Sequence, residues 1–286
     1  DFARAKEVLF KELPVENIVS WNALITGYVQ QCRYNEALKC FEHMQRHGIS
    51  GNTITFICIL KACGMEGAIG MGELIHDEIM SHGWIQKDIV LGTALVDMYA
   101  KCGAIQEARK VFDKLCDPSL AVWTALISGY AENGHGEEAL MCYERMQHKG
   151  LVPDAVTFSC IFKACGSIGA SEKGKEIHAE IIRKGLLKKD HTLGSALVDM
   201  YVKCGLCLQA QQVFDEISVR NVISWNALIS GYAHVERGSD ALCCFSQMKI
   251  EGISPSPITY VCILKACASS RESLQGERIH CEILSK

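Results

Sequence analysis

The 286-residue sequence predicts an all-α fold, an α-solenoid of stacked helix-turn-helix units. Three observations point to it. One phrase recurs as VSWNALITGY at 19–28, VWTALISGY at 122–130 and ISWNALISGY at 223–232, and its tryptophans, Trp21, Trp123 and Trp225, stand 102 residues apart. Within that period apolar residues return at helical spacing, and glycines stand where helices should stop. No run of about 18 apolar residues occurs, and even ITYVCILKACA at 258–268 is broken by Lys265, so the helices should pack on one another rather than span a membrane. A chain 49% hydrophobic and 22% charged has enough apolar content for an extended core and is not of disordered composition.

A 102-residue period is too long for one solenoid unit, and it resolves into three kinds of segment, 35, 36 and 31 residues long, in fixed order. Residues 1–17 align with 103–119 and form the second half of a unit of the third kind. Residues 18–52 are the first kind, 53–88 the second and 89–119 the third. The order repeats at 120–154, 155–190 and 191–221, then at 222–256 and an incomplete 257–286. A chain that opens and closes within units is expected to be a segment of a longer array, without capping repeats at its ends.

Each unit reads as two helices. In 18–52 the first carries a stripe of Ala23, Leu24, Gly27 and Tyr28, and the second a stripe of Ala37, Leu38, Phe41 and Met44. Gly48, Gly150 and Gly252 should end the second helices in a left-handed residue, followed by Pro153 and Pro255. Neither helix can bury enough apolar surface alone, so neighbours must stack into a solenoid with a long concave face; the residues leave its hand open. The three tryptophans belong to the core between units on this reading.

Sixteen cysteines suggest a disulfide scaffold only until their positions are compared. Cys40, Cys142 and Cys244 share the 102-residue spacing, as do Cys58, Cys160 and Cys262, and Cys63, Cys165 and Cys267. They follow the repeat and not a ligand geometry, and are expected to be small buried residues in a reducing compartment. His76, His178 and His280 each begin an H-x-E triplet, but at the repeat period and with no P-C-x-x-C after them, so they do not make a zinc deaminase site. Cys204 and Cys207 form a lone C-x-x-C, and His43 and His47 lie one turn apart with no third ligand. No metal, cofactor or catalytic residue is predicted. A net charge of −4 argues against indiscriminate binding to nucleic acid.

Units of 35, 36 and 31 residues bearing SWNALI-GY, TF--ILKACG…G--IH-EI and ALVDMY-KCG---EA--VFD resemble the P, L and S motifs of plant pentatricopeptide repeat proteins of the PLS class, over the whole chain. The resemblance implies a right-handed superhelix that binds single-stranded RNA at one base per repeat. It further implies a plant mitochondrion or chloroplast, and service as the specificity part of a cytidine-to-uridine RNA editing factor. A C-terminal deaminase would then lie outside this chain, and multiple organellar RNA editing factor proteins would be partners at L motifs.

In that family the fifth and last residues of a motif read the base. The pairs are Asn22 with Asn52, Thr93 with Ser119, Thr124 with Asp154, Ser195 with Asn221 and Asn226 with Ser256, and more weakly Ser159 with Asp190. The chemistry is separately arguable, because guanine and uracil present a ring N–H, which an ionised Asp can accept, whereas adenine and cytosine present a ring-nitrogen acceptor that suits Asn or Ser. The expected element is 5′-Y-N-R-G-N-A-C-3′. The second residues, Val19, Val90, Ala121, Thr192 and Ile223, should wedge between bases, and Lys101 and Lys203 could meet phosphates. Ile57, paired with Asp88, and Val261 cannot hydrogen-bond a base edge, so those L units read as spacers or partner surface. The competing expectation is a scaffold that binds a protein through its concave face. Against it stands the restriction of the readers in the five informative P and S units to Asn, Thr, Ser and Asp, where a protein groove would carry apolar anchors.

Overall fold

The computed structural model describes residues 17–85, 88–187, 190–217, 219–270 and 273–284. The half-unit expected at 1–17 lies outside them except for Asn17. Among the described residues the chain is all helix, with sixteen helices and no strand. It divides into two compact units, 1–133 and 134–286.

The first unit holds α1 (Ile18–Gln30), α2 (Tyr34–Arg46), α3 (Thr53–Glu66), α4 (Ile69–Ser81), α5 (Ile89–Lys101), α6 (Ile105–Asp113) and α7 (Leu120–Glu132). The odd helices pack side by side in a row, α1 on α3, α3 on α5 and α5 on α7, and each even helix fills the angle between two of them. The second unit repeats the plan with α8 (Gly136–His148), α9 (Ala155–Ile168), α10 (Ser171–Arg183), α11 (His191–Lys203), α12 (Cys207–Glu216), α13 (Val222–His234), α14 (Gly238–Ile250), α15 (Pro257–Ser270) and α16 (Ser273–Leu284). Its row is α9, α11, α13 and α15.

The core follows the apolar stripes. Trp21, Trp123 and Trp225 are buried, as are Leu24, Tyr28, Ala37, Leu38, Phe41 and Met44. Ala23 departs from its expected place in the stripe and is exposed. It lies one position, about 100° around the helix, from buried Leu24, and the row of neighbouring first helices takes the Leu24 side. Phe112 meets Trp123 edge-on at 4.6 Å, and Phe214 meets Trp225 likewise at 4.5 Å. Gly48, Gly150 and Gly252 have φ of 72°, 77° and 74°, the left-handed stop that glycine adopts without steric penalty.

Five of the nine cysteines that follow the repeat, Cys40, Cys63, Cys142, Cys165 and Cys267, are buried; Cys58, Cys160, Cys244 and Cys262 are half-buried. Burial pushes the Cys63 and Cys165 thiols up to about 12, which keeps them protonated and unreactive.

Candidate functional site

The last residue of a sequence unit occupies the cap of the next first helix. Asn17, Asn52, Asp88, Asp154, Asp190 and Asn221 each accept a backbone N–H of the helix that follows with their side chains. Ser256 does so for α15, accepting from Thr259 N–H at 3.3 Å. Ser119 takes the cap position of α7 without a side-chain hydrogen bond to the helix. Asn, Asp and Ser are the residues a helix N-terminus requires. Apart from Ser119, their recurrence at this position is therefore accounted for by capping, and does not by itself separate RNA from protein as a ligand.

At two junctions the cap also meets the fifth residue of the preceding unit. Asn22 donates its Nδ2–H to Asn52 Oδ1 at 3.0 Å, and Asn226 donates to Ser256 Oγ at 3.1 Å. A third side chain closes each group. Thr55 donates its hydroxyl to Asn22 Oδ1 at 2.5 Å and accepts Asn52 N–H at 3.1 Å. Thr259 does the same for Asn226 at 2.5 Å and Ser256 N–H at 2.9 Å. Both threonines are fully buried, while the two asparagines are half-buried.

The other candidate readers are arranged differently. Thr93, half-buried on α5, donates to its own helix at Ile89 C=O, 2.8 Å. Ser159 likewise donates to Ala155 C=O at 2.9 Å. Ser195 is 5% exposed, and its hydroxyl has no hydrogen-bond partner among the described residues. Its expected companion Asn221 accepts Ile223 N–H and Ser224 N–H, both at 2.9 Å. Asp190 accepts Thr192 N–H at 2.8 Å and the Thr192 hydroxyl at 2.5 Å. Thr124 is half-buried in the first unit; Asp154 is exposed in the second, where it accepts Thr157 N–H at 2.8 Å.

All five expected wedging residues are exposed: Val19, Val90, Ala121, Thr192 and Ile223. The second residues of the L units share that setting. Ile54, Val156 and Ile258 are 56%, 60% and 64% exposed, beside 71% for Val19 and 65% for Ile223. An aliphatic side chain this exposed at the same position of several repeats is a repeated apolar step along the row of first helices within each compact unit, and its 102-residue recurrence is visible in the sequence.

Each unit has an open groove along these helices. In the first, a groove of about 280 Å³ is lined by Ile57, Lys61, Val90, Thr93 and Asp97. In the second, one of about 600 Å³ gathers Ser159, Thr192, Ser195, Asn221, Ile223 and Asn226 with Lys163 and Lys203. Lys101 and Lys203, the expected phosphate contacts, are held by Asp97 and Asp199 four residues earlier, each at 2.7 Å. Those carboxylates partly neutralise them, and the groove walls carry further cations, Lys61 in the first unit and Lys163 beside Lys203 in the second. Ile57 is half-buried in the first groove, and Val261 is 67% exposed.

Two of the three H-x-E histidines have a tyrosine partner. His76 Nδ1 lies 2.9 Å from Tyr99 OH, and His178 Nδ1 lies 2.9 Å from Tyr201 OH. Burial lowers the proton affinity of both rings.

Two family models match this repeating arrangement. The model described as the PPR repeat family covers residues 16–65, 118–167 and 220–269, and that described as the PPR repeat covers 93–117, 156–186 and 195–222. The chain belongs to the pentatricopeptide repeat (PPR) family. Among curated relatives, it is 38% identical to a chloroplastic pentatricopeptide repeat-containing protein of Arabidopsis thaliana over 95% of the chain and 44% of that protein. It is 33% identical to a mitochondrial one of the same plant, over 94% of the chain and 48% of the relative. This PPR chain thus spans less than half of either relative. Among solved structures, the pentatricopeptide repeat protein PPR10 in complex with an 18-nucleotide psaJ RNA element matches with a TM-score of 0.79 over 97% of the chain and 41% of PPR10, at 20% identity. PPR10 from maize matches with a TM-score of 0.68 over 99% of the chain and 41% of that protein, at 20% identity. The fold is the helical-repeat solenoid of these proteins.

Proposed function

We propose that this chain binds single-stranded RNA sequence-specifically, one base per repeat, as a P-L-S array whose element is 5′-Y-N-R-G-N-A-C-3′. The observation that best supports this is the direct contact of the fifth and last residues at two junctions 204 residues apart in sequence, Asn22 with Asn52 and Asn226 with Ser256. Two polar side chains joined edge to edge beside exposed aliphatic neighbours offer what a splayed base needs, a hydrogen-bonding edge and an apolar face. The readers are Asn22, Asn52, Thr93, Ser119, Thr124, Asp154, Ser195, Asn221, Asn226 and Ser256, with a weaker contribution from Ser159 and Asp190. The wedges are Val19, Val90, Ala121, Thr192 and Ile223, joined by Ile54, Val156 and Ile258. Compartment names among the relatives and the PPR10 complex with RNA favour an organellar RNA ligand.

In this reading the chain recognises RNA, and the chemistry of cytidine-to-uridine editing is supplied from outside it. Val261, exposed and apolar at a fifth position, favours a protein partner at L motifs as a second activity of the same array. The test is fluorescence anisotropy with the element at physiological salt, beside the same RNA with its G changed to U. Preference for G supports the reading, and equal or absent binding to both contradicts base readout.

A further inference from the structure

We propose that Thr55 and Thr259, the third residues of two L motifs, are positioning residues that fix which atom of the preceding reader faces the base. The inference rests on the base-reading assignment above and goes beyond it, because neither threonine faces the RNA on that assignment.

The argument is one of donors and acceptors. Asn52 Oδ1 accepts Thr55 N–H at 3.1 Å, so the end of α3 pins it as an acceptor. The group of Asn22 that meets it at 3.0 Å must therefore be the donor, Nδ2. Thr55 Oγ1 already accepts Asn52 N–H at 3.1 Å, and its single proton goes to the nearest acceptor, Asn22 Oδ1 at 2.5 Å. A flipped Asn22 would set its carbonyl against Asn52 Oδ1, acceptor to acceptor. With the carbonyl held by threonine and one N–H held by the cap, the second N–H of Asn22 is left to point outward. Asn226, Ser256 and Thr259 share the geometry, with Asn226 Nδ2 on Ser256 Oγ at 3.1 Å and Thr259 Oγ1 on Asn226 Oδ1 at 2.5 Å; because the Ser256 hydroxyl can donate as well as accept, it is the Thr259 hydroxyl, and not the cap, that favours this orientation of Asn226. Asn226 lines the groove of the second unit, so its remaining N–H suits the N3 acceptor of cytosine and not the N3–H of uracil.

Among the described residues the bridge is seen at two junctions where a first-kind unit meets a second-kind one; at the third, Thr157 donates its hydroxyl to the cap, Asp154 Oδ1, at 2.7 Å. The S units have Leu91 and Leu193 at the third position, and Val122 follows the Thr93 and Ser119 pair; none has a hydroxyl. Ser224 has one, but donates it to Asn221 C=O at 2.9 Å, and the Ser195 hydroxyl has no hydrogen-bond partner among the described residues.

The test uses Thr259→Val, which removes the hydroxyl at nearly constant shape, Thr259→Ser, which keeps it, and Ser224→Ala as a control. For each, affinity is measured for RNAs with C or U at the nucleotide assigned to Asn226, and with A or G at that assigned to Ser195, alongside a urea midpoint. We expect wild type to prefer C, Thr259→Val to cut the C:U ratio about fivefold, the worth of one ordinary hydrogen bond, and Thr259→Ser to restore it. Ser224→Ala should leave the A:G ratio unchanged. A Thr259→Val protein that keeps the wild-type C:U ratio overturns the proposal while base reading stands, whatever happens to total affinity or stability. Equal loss of selectivity in Ser224→Ala also overturns it, since the third position would then act without the bridge. A wild type indifferent to C and U overturns the base-reading assignment itself and the proposal with it.

Discussion

Asn52 combines two tasks that substitution can separate. Its Oδ1 receives Thr55 N–H at 3.1 Å as the cap of α3, and Asn22 Nδ2–H at 3.0 Å as half of a reader pair. Asn52→Ala removes both. Loss of the cap costs about 1 kcal/mol. Leaving the half-buried Asn22 amide without its acceptor adds about 1 kcal/mol. The variant should therefore lose about 2 kcal/mol, concentrated in α3 and its neighbours, because a repeat array transmits stability mainly to adjacent units. Asn52→Asp keeps an acceptor oxygen in both places and sets a negative charge at the positive end of α3, a contribution of about 0.3–1 kcal/mol in its favour. It should be at least as stable as wild type. Urea denaturation followed by circular dichroism gives the global effect, and amide hydrogen exchange in α3 gives the local one. On RNA, the carboxylate can only accept, so the first base should shift towards uracil, which offers N3–H. An alanine variant that loses less than about 0.5 kcal/mol, below the range for a lost cap, or an aspartate variant as unstable as the alanine one, would refute this account of Asn52.

Two further outcomes follow from the same geometry. Ile223→Ala, at a side chain 65% exposed, should leave the urea midpoint within error while weakening RNA binding about fivefold or more, since a covering base buries apolar surface worth about 0.8 kcal/mol per methylene; unchanged affinity would remove Ile223 from the interface. His76 and His178 are held neutral by burial, with pKa values below the ordinary one. A histidine depressed in the folded state contributes stability above its unfolded pKa of about 6.5 and loses it as pH falls from there towards the folded value. The urea midpoint should therefore fall between pH 7 and pH 5, and the His76→Gln, His178→Gln double variant should show a flatter profile; equal slopes would contradict this.

The fold was legible because the repeat supplies three aligned copies, so that helix stripes, stops and buried tryptophans could be read from their shared spacing. Ala23 was misplaced because an alanine fits either side of a helix stripe and its copies, Ala125 and Ala227, do not break the tie. The site was legible only in part. Asn52 and Asn221 were read as ligand-facing, but the same oxygen atoms cap helices, and a residue serving both ends shows only one preference in sequence. Thr55 and Thr259 went unnoticed because a buried third residue is silent in one dimension, although both recur at the period. The Asp97 to Lys101 and Asp199 to Lys203 pairs had a readable signal, opposite charges four residues apart on a helix. It bears directly on the phosphate role expected of those lysines.

The most direct test of the central claim is a reciprocal swap at the residue after the second tryptophan. Wild type and Thr124→Asn proteins are titrated by anisotropy with RNAs carrying G or U at the fourth position of the element. Base readout requires wild type to prefer G and Thr124→Asn to prefer U, with total affinities of the matched pairs similar. Binding that follows salt but not sequence, equal for both proteins and both RNAs, would contradict it.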